Sequence, residues 1–540
     1  MAQNYVSQAD SCFKAKNYSC AAQNYDLFLQ KVEGRSNVIA YRAATSWSLT
    51  GDKDRAFNAI SIYIRNNYLN GVIIFSKDMI AEKSFDRLKN DIRWQTLISG
   101  VITKEDSVVK AENTKTAAFK AIQINLENNS TLKKLNFTKM NALQVYNKIK
   151  KYNSYQTIKR KYLSMQIKLT DSLNMAYLIV LPNNYNPKKH YPLLFFLHGA
   201  VSSNTGYLNY VDETDTSGWN RYYTKYANLN KIIMVYPHAN KDYNWMYPDK
   251  GFFMVPTILK QIKQVINIDD DKVFISGHSN GATGSFSYLM KQPSPYAGFY
   301  GFNTRPVVAT GGTFLRNIYN RSFFNVSVDQ DYYYPPQAHD SLNNVMKNLK
   351  ADYQDHRYTG FPHWFPQFNE SEPAYALLFD DLNKRKRDPF HHNIYWECDD
   401  TKYGRCDWLS ITLLDTVSKK APWQKNINFK INKWIVLDKK NKAVTRDTSL
   451  NAFVYKKTSG AIKANFNNNV FTVSTSSVKS FSLFISPQMV NINKPVIVVV
   501  NGKTCYKGKV KYNKAFMINE FKNTADRKAI WINHIDIKVL

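Results

Sequence analysis

The sequence has no run approaching the roughly 20 consecutive apolar residues that cross a bilayer. Its longest apolar stretches, LLFF and VIVVV, have the length of buried strands, so no membrane span is expected. It has no CxxC pair, no HExxH or HxxxH pattern and no glycine-rich loop that would cradle a phosphate. A zinc site and a nucleotide cofactor are therefore not expected, and no cofactor is needed for the chemistry read below. Acidic residues are scarce, 42 against 73 Lys and Arg, giving a formal net charge of +31. The lysines are scattered among Asn, Tyr, Ile and Phe, a bias that an AT-rich genome produces without functional cause. KRKR at 384–387 is the only dense basic run and no nucleic-acid motif accompanies it, which argues against a nucleic-acid partner. An acidic polymer or cell-surface substrate is the alternative reading of the charge.

The opening MAQNYVSQAD carries neither a basic nor an apolar segment. Ala2-Gln3 resembles the residues around a signal-peptidase cut, and the expectation is an exported protein (periplasmic, outer-membrane-associated or extracellular) whose leader has been removed. Five cysteines are present. Cys12 with Cys20 and Cys398 with Cys406 would suit two short-loop disulfides, with Cys505 left over; reduced, buried thiols are the competing reading.

At 540 residues the chain is too long for one core, and two to four domains are expected. Residues 1–100 read as paired short helices. Tyr18, Ala21 and Tyr25 recur in a second copy that sets Gly51-Asp52 at a turn and Ala56 where two helices touch. This resembles tetratricopeptide repeats, with a degenerate third unit ending in FDRLKNDIRWQTLI; the resemblance implies a surface for a protein partner. A helical cap with no partner is the alternative. Residues 101–155 are Lys- and Asn-rich and read as a helical linker. From residue 156 to 385, near-continuous apolar runs (PLLFFLHG, KIIMVYP, KVFISGHS) alternate with helical segments, the pattern of an α/β domain on a mostly parallel sheet. Residues 386–540 are β-rich and read as a small antiparallel β-sandwich, with Asn501-Gly502 as a two-residue hairpin turn.

Within the α/β segment, VFISGHSNGATGSF places Ser279 between Gly277 and Gly281, after a strand and before a helix. A serine hydroxyl needs a base to take its proton and donors to hold the oxyanion it creates. On a sharp strand-to-helix turn with flanking glycines, an acid and then a histidine should follow in chain order. The strand SFFNVSV runs into Asp329-Gln330-Asp331, of which Asp331 is preferred and Asp329 is the alternative acid. His363, after a Gly and beside Trp364, is the expected base. The N–H groups of Asn280 and Ala200 are the expected oxyanion donors, Ala200 lying in the loop that closes LLFFLHGA. Trp245, Trp364 and Tyr332, with Trp219, are aromatic residues available to line an acyl or sugar site.

The ordered set LHGA, GHSNGA, DxxYPP and GFPHW resembles the α/β-hydrolase superfamily over residues 162–385, and within it the secreted esterases related to polyhydroxybutyrate depolymerases and feruloyl or acetylxylan esterases. The resemblance implies a Ser279-His363-Asp331 triad cleaving carboxylic esters, small or polysaccharide-linked, through an acyl-enzyme. Val328 stands where that family usually has glycine, which leaves the two aspartates open. A serine peptidase using the same triad, and a binding protein with an inert hydrolase domain, are the rival readings.

Overall fold

The computed structural model of the chain describes residues 2–70, 72–170, 173–202, 209–438 and 443–539. It divides into two compact units, Met1–Ala118 and Phe119–Leu540.

The first unit is helical: α1 (Ala2–Lys14), α2 (Tyr18–Lys31), α3 (Asn37–Thr50) and α4 (Lys53–Leu69) each pack on the next in the chain. Ala21, Ala22, Ala40, Ala43, Ala44 and Ala56 are fully buried. With no side chain beyond Cβ, they let helix backbones approach closely. Gly51, at φ 91°, ends α3 in the left-handed conformation, and the Asp52 carboxylate accepts the Arg55 N–H to start α4. The stretch read from the sequence as a degenerate third unit does not form a matching helix pair. α5 (Ser76–Ala81) is a six-residue helix, followed by a single 3₁₀ turn and then the long α6 (Ile92–Asn128). Cys12 and Cys20 form a disulfide, whereas Cys398 and Cys406 are free and buried.

The second unit is mixed α/β. Its main sheet contains β1 (Tyr162–Lys168), β2 (Asn174–Val180), β3 (Tyr191–Leu197), β4 (Ile233–Pro237), β5 (Ile268–Gly277), β6 (Gly298–Phe302), β7 (Phe323–Gln330) and β8 (Tyr353–Pro362). The strand order is 1-2-4-3-5-6-7-8, and β2 alone runs against the other strands. β3, β4, β6 and the second half of β5 are apolar, and β3 to β7 are almost wholly buried because helices cover both faces. α7 (Ala142–Lys150) precedes this sheet in the chain; the helices of its layers are α8 (Arg221–Asn230), α9 (Met254–Val265), α10 (Asn280–Lys291), α11 (Pro336–Leu349) and α12 (Glu372–Lys384). The chain leaves β3 toward β4 on one side and then crosses to β5 on the other. That reversal opens a crevice at the carboxyl ends of β3 and β5, where open α/β sheets bind their ligands.

After α12, the strands from Asn393–Cys398 to Asn533–Lys538 make one sheet of four and one of five that share a core containing Trp396, Trp408, Phe471 and Phe481, and a separate antiparallel pair, Lys430–Leu437 with Ala443–Asn451. Not every pair is antiparallel. Val470–Ser476 pairs in parallel with Val496–Val500, because the strand between them crosses to the other sheet. Asn501 and Gly502, both at positive φ, form the expected tight hairpin turn. Residues 129–155 are not a linker. Leu132, Phe137, Val145, Tyr146, Ile149 and Tyr152 are buried in this same core. Polar Lys and Asn residues between them face outward and disguise the segment's apolar side.

Buried charges tie this region to the main sheet. Lys263 of α9 pairs with Asp270 of β5 and with Asp526, and Arg387 pairs with Asp271 and Asp526. Burial alone would raise the Asp526 pKa, but Arg387 and Lys263 overcome it and hold the carboxyl far below its usual range. Removing one partner of such a pair strands a buried charge at a cost of about 3–5 kcal/mol. Among the described residues, no helix is long and apolar enough to cross a membrane, and no group of three or more His, Cys, Asp or Glu could hold a metal ion.

Candidate active site

The crevice at the end of β3 and β5 is built around Ser279. Its backbone lies at φ 58° and ψ −120°, a conformation that costs a non-glycine residue about 1–3 kcal/mol. Two hydrogen bonds impose it: the Ser279 N–H donates to the Phe302 carbonyl at 3.0 Å, and the Gly281 N–H donates to the His278 carbonyl at 2.9 Å. The flanking glycines are required by close approach. A Cβ on Gly281 would lie 1.8 Å from the Leu197 carbonyl oxygen, and one on Gly277 would lie 2.3 Å from the Gly281 carbonyl carbon. No other residue fits at either position.

Asn280 is the first residue of α10, so its N–H is one of the helix donors with no acceptor inside the helix. Its side chain locks the neighbouring loop, accepting the Val201 N–H at 3.2 Å and donating to the Tyr333 hydroxyl at 2.8 Å. Ala200, held at φ 53°, lines the same cavity as Ser279 and Asn280. His198 supports that loop from behind: its ring bonds the Gly199 carbonyl at 2.8 Å and accepts the Ala239 N–H at 3.0 Å. Burial pushes the His198 imidazole down to about 4, so it is neutral at pH 7.

The structure brings Asp331 and His363 together. His363 Nδ1 lies 2.8 Å from Asp331 Oδ1, with both side chains nearly inaccessible, and the same oxygen accepts the Tyr333 N–H at 2.7 Å. Asp329 is elsewhere: its Oδ1 accepts the Gly360 and Phe361 N–H groups at 2.8 and 3.3 Å. It ties down the turn before His363 without touching the ring.

Sequence reasoning missed two residues that place His363. His278 Nε2 bonds the His363 carbonyl at 3.0 Å, and Asn303 Nδ2 donates to the same oxygen at 2.6 Å. Burial, reinforced by the adjacent His363, drives the His278 pKa down to about 3. His278 sits inside the GxSxG stretch and was visible there; Asn303, just past β6, carries no sequence signal.

Ser279, Asn280, Ala200 and His363 share a cavity of about 460 Å³. Trp219, Trp364 and Tyr332 form its aromatic wall, with Trp364 centred 6.0 Å from both Trp219 and Tyr332. Trp245 does not belong to it. That ring is fully buried, packed edge-on against His198, where only a glycine at 284 leaves room for it.

No protein-family model matches the chain, and no curated protein matches it. Solved structures do. A thermostable esterase is 20% identical over 42% of this chain, with a TM-score of 0.34, and the chain spans 64% of that protein's length. An S-formylglutathione hydrolase from Staphylococcus aureus is 14% identical over 41% of this chain and 98% of its own, with a TM-score of 0.32. A ferulic acid esterase is 16% identical over 41% of this chain and 98% of its own, with a TM-score of 0.34.

Proposed function

We propose that this protein is a serine hydrolase of carboxylic esters. The observation that carries the reading is the joint placement of Ser279, in a strained turn at the sheet's switch point, with a buried, carboxylate-bonded His363 in one cavity. In this reading, Ser279 Oγ attacks the acyl carbon while His363 Nε2 takes its proton. Asp331 fixes the tautomer that presents Nε2 as acceptor and stabilises the imidazolium that forms. The N–H groups of Asn280 and Ala200 receive the oxyanion. The alcohol leaves with the proton from His363, and water activated by the same ring then releases the acid and restores Ser279. No redox or metal step enters. The aromatic wall favours acyl or alcohol groups with a flat face, including those carried on sugars.

Turnover of p-nitrophenyl acetate set against a panel of aminoacyl anilides tests this reading. Ester cleavage at least about a hundredfold faster than anilide cleavage is the expected result; preferential anilide cleavage would make the enzyme a peptidase. The Cys12–Cys20 disulfide supports placing the protein in an oxidising, exported compartment, and the helical first unit is read as a surface for a protein partner.

A further inference from the structure

Arg221 opens α8 directly after the 3₁₀ turn Gly218–Asn220, which carries Trp219. Its guanidinium donates back to the Gly218 carbonyl at 3.0 Å. It also reaches across to the segment that follows His363, where it donates to the Pro366 carbonyl at 3.3 Å, the Gln367 carbonyl at 2.9 Å and Asn369 Oδ1 at 3.3 Å. All four acceptors are uncharged. Glu372, the acidic residue that opens α12, is paired with Lys225 instead. Arg221 therefore works as a fork between two segments and not as a counter-ion.

Local structure explains why the acceptors are available. Phe365–Gln367 is a 3₁₀ turn of three residues, and the last carbonyls of so short a turn have no partner within it. The guanidinium lies over the Tyr222 ring, 4.2 Å from its centre, which restrains the fork, and the Tyr222 hydroxyl donates to Asn369 Oδ1 at 3.1 Å.

The two segments joined in this way carry the aromatic wall of the catalytic cavity. Trp219 is 36% exposed and Trp364 is 45% exposed, and their rings meet edge to face at 6.0 Å. Rings so open to solvent take little of their placement from surrounding side chains, so the backbone beneath them has to be held by bonds. Arg221 does not itself line the cavity.

We propose that Arg221 is a positioning residue that sets the selectivity of the site: by latching Gly218 to the Pro366–Asn369 stretch, it holds Trp219 and Trp364 at the spacing that grips a flat-faced substrate group. This rests on the hydrolase reading and extends substrate selection to a residue that touches no substrate.

The test has two arms. The first divides kcat/KM for p-nitrophenyl benzoate by that for p-nitrophenyl acetate. Arg221→Ala should lower this ratio by about twofold to tenfold, the range of one lost ring contact. Arg221→Lys should lower it as far, since an ammonium keeps the charge but cannot span the acceptors. Because the effect passes through the wall, the loss in the Arg221→Ala, Trp364→Ala double variant should be smaller than the product of the two single losses. The second arm reads the latch without turnover, by hydrogen exchange of the full chain. The Gln367, Phe368 and Ser371 N–H groups, bonded within these turns, should exchange about tenfold faster in Arg221→Ala, with exchange in the C-terminal sheets unchanged. An unchanged ratio in Arg221→Ala, a wild-type ratio in Arg221→Lys, single losses that multiply fully in the double variant, wild-type exchange at the three amides, or faster exchange throughout the second unit would overturn the proposal. Absence of ester turnover in the wild-type protein would overturn the hydrolase reading instead, and the exchange arm would still decide whether Arg221 is the latch.

Discussion

His363 Nδ1 and Asp331 Oδ1 lie 2.8 Å apart in an almost fully buried pair, and that contact separates the two aspartates that the sequence leaves open. Asp331→Asn should keep the fold but present the wrong tautomer of His363, lowering kcat by about 10⁴ at neutral pH. Asp329→Ala loses only bonds to the backbone of Gly360 and Phe361, about 1 kcal/mol, so its kcat should fall by no more than about tenfold. Steady-state kinetics on one ester with both variants checks the assignment.

Trp219 and Trp364 stand edge to face at 6.0 Å and are partly exposed in the cavity wall. Trp364→Ala should lower kcat/KM for p-nitrophenyl benzoate by a further twofold to tenfold relative to the acetate, the worth of about 0.5–1.5 kcal/mol of ring contact. An equal fall on both esters would remove the wall from substrate recognition.

Stability should depend on pH in a defined direction. His198 and His278 are held neutral by burial, with pKa values pushed down to about 4 and about 3 from the ordinary 6.5. Below pH 6.5 the unfolded chain binds protons that the folded chain refuses. The stabilisation is therefore complete above 6.5 and is lost as pH falls toward 4, by about 1.4 kcal/mol per pH unit for each histidine. Urea unfolding at pH 7.5, 6.5 and 5.5 should show this slope, and His198→Gln should make it shallower.

Thiol chemistry tests the cysteine pairing. Titration of the unfolded, unreduced protein should find thiols at Cys398, Cys406 and Cys505 and none at Cys12 or Cys20. Thiols at Cys505 alone would restore the second disulfide that the local spacing suggested.

The parts of the site that backbone sterics dictate were legible in the sequence. Gly277 and Gly281 face carbonyl groups at distances no Cβ tolerates, so the turn around Ser279 had to be written with those residue types. The choice of acid was not legible, because a bulge shifts the register where β7 and β8 end: Val328 pairs with Tyr358, but Gln330 pairs with Pro362. Simple alternation therefore fails to say which aspartate faces His363. Trp245 looked like a cavity residue because aromatic content alone does not reveal depth; its burial depends on the glycine at 284, in a helix distant in sequence. Cys398 and Cys406 are close in the chain but belong to strands of different sheets, a separation that only the tertiary topology reveals.

The central claim is that Ser279 is the nucleophile, and the most direct measurement is intact-mass analysis after treatment with a fluorophosphonate, followed by peptide mapping of the adduct. One adduct per chain, located on Ser279 and absent from Ser279→Ala together with ester turnover, is the predicted result. An adduct on another residue, or ester turnover surviving in Ser279→Ala, would contradict it.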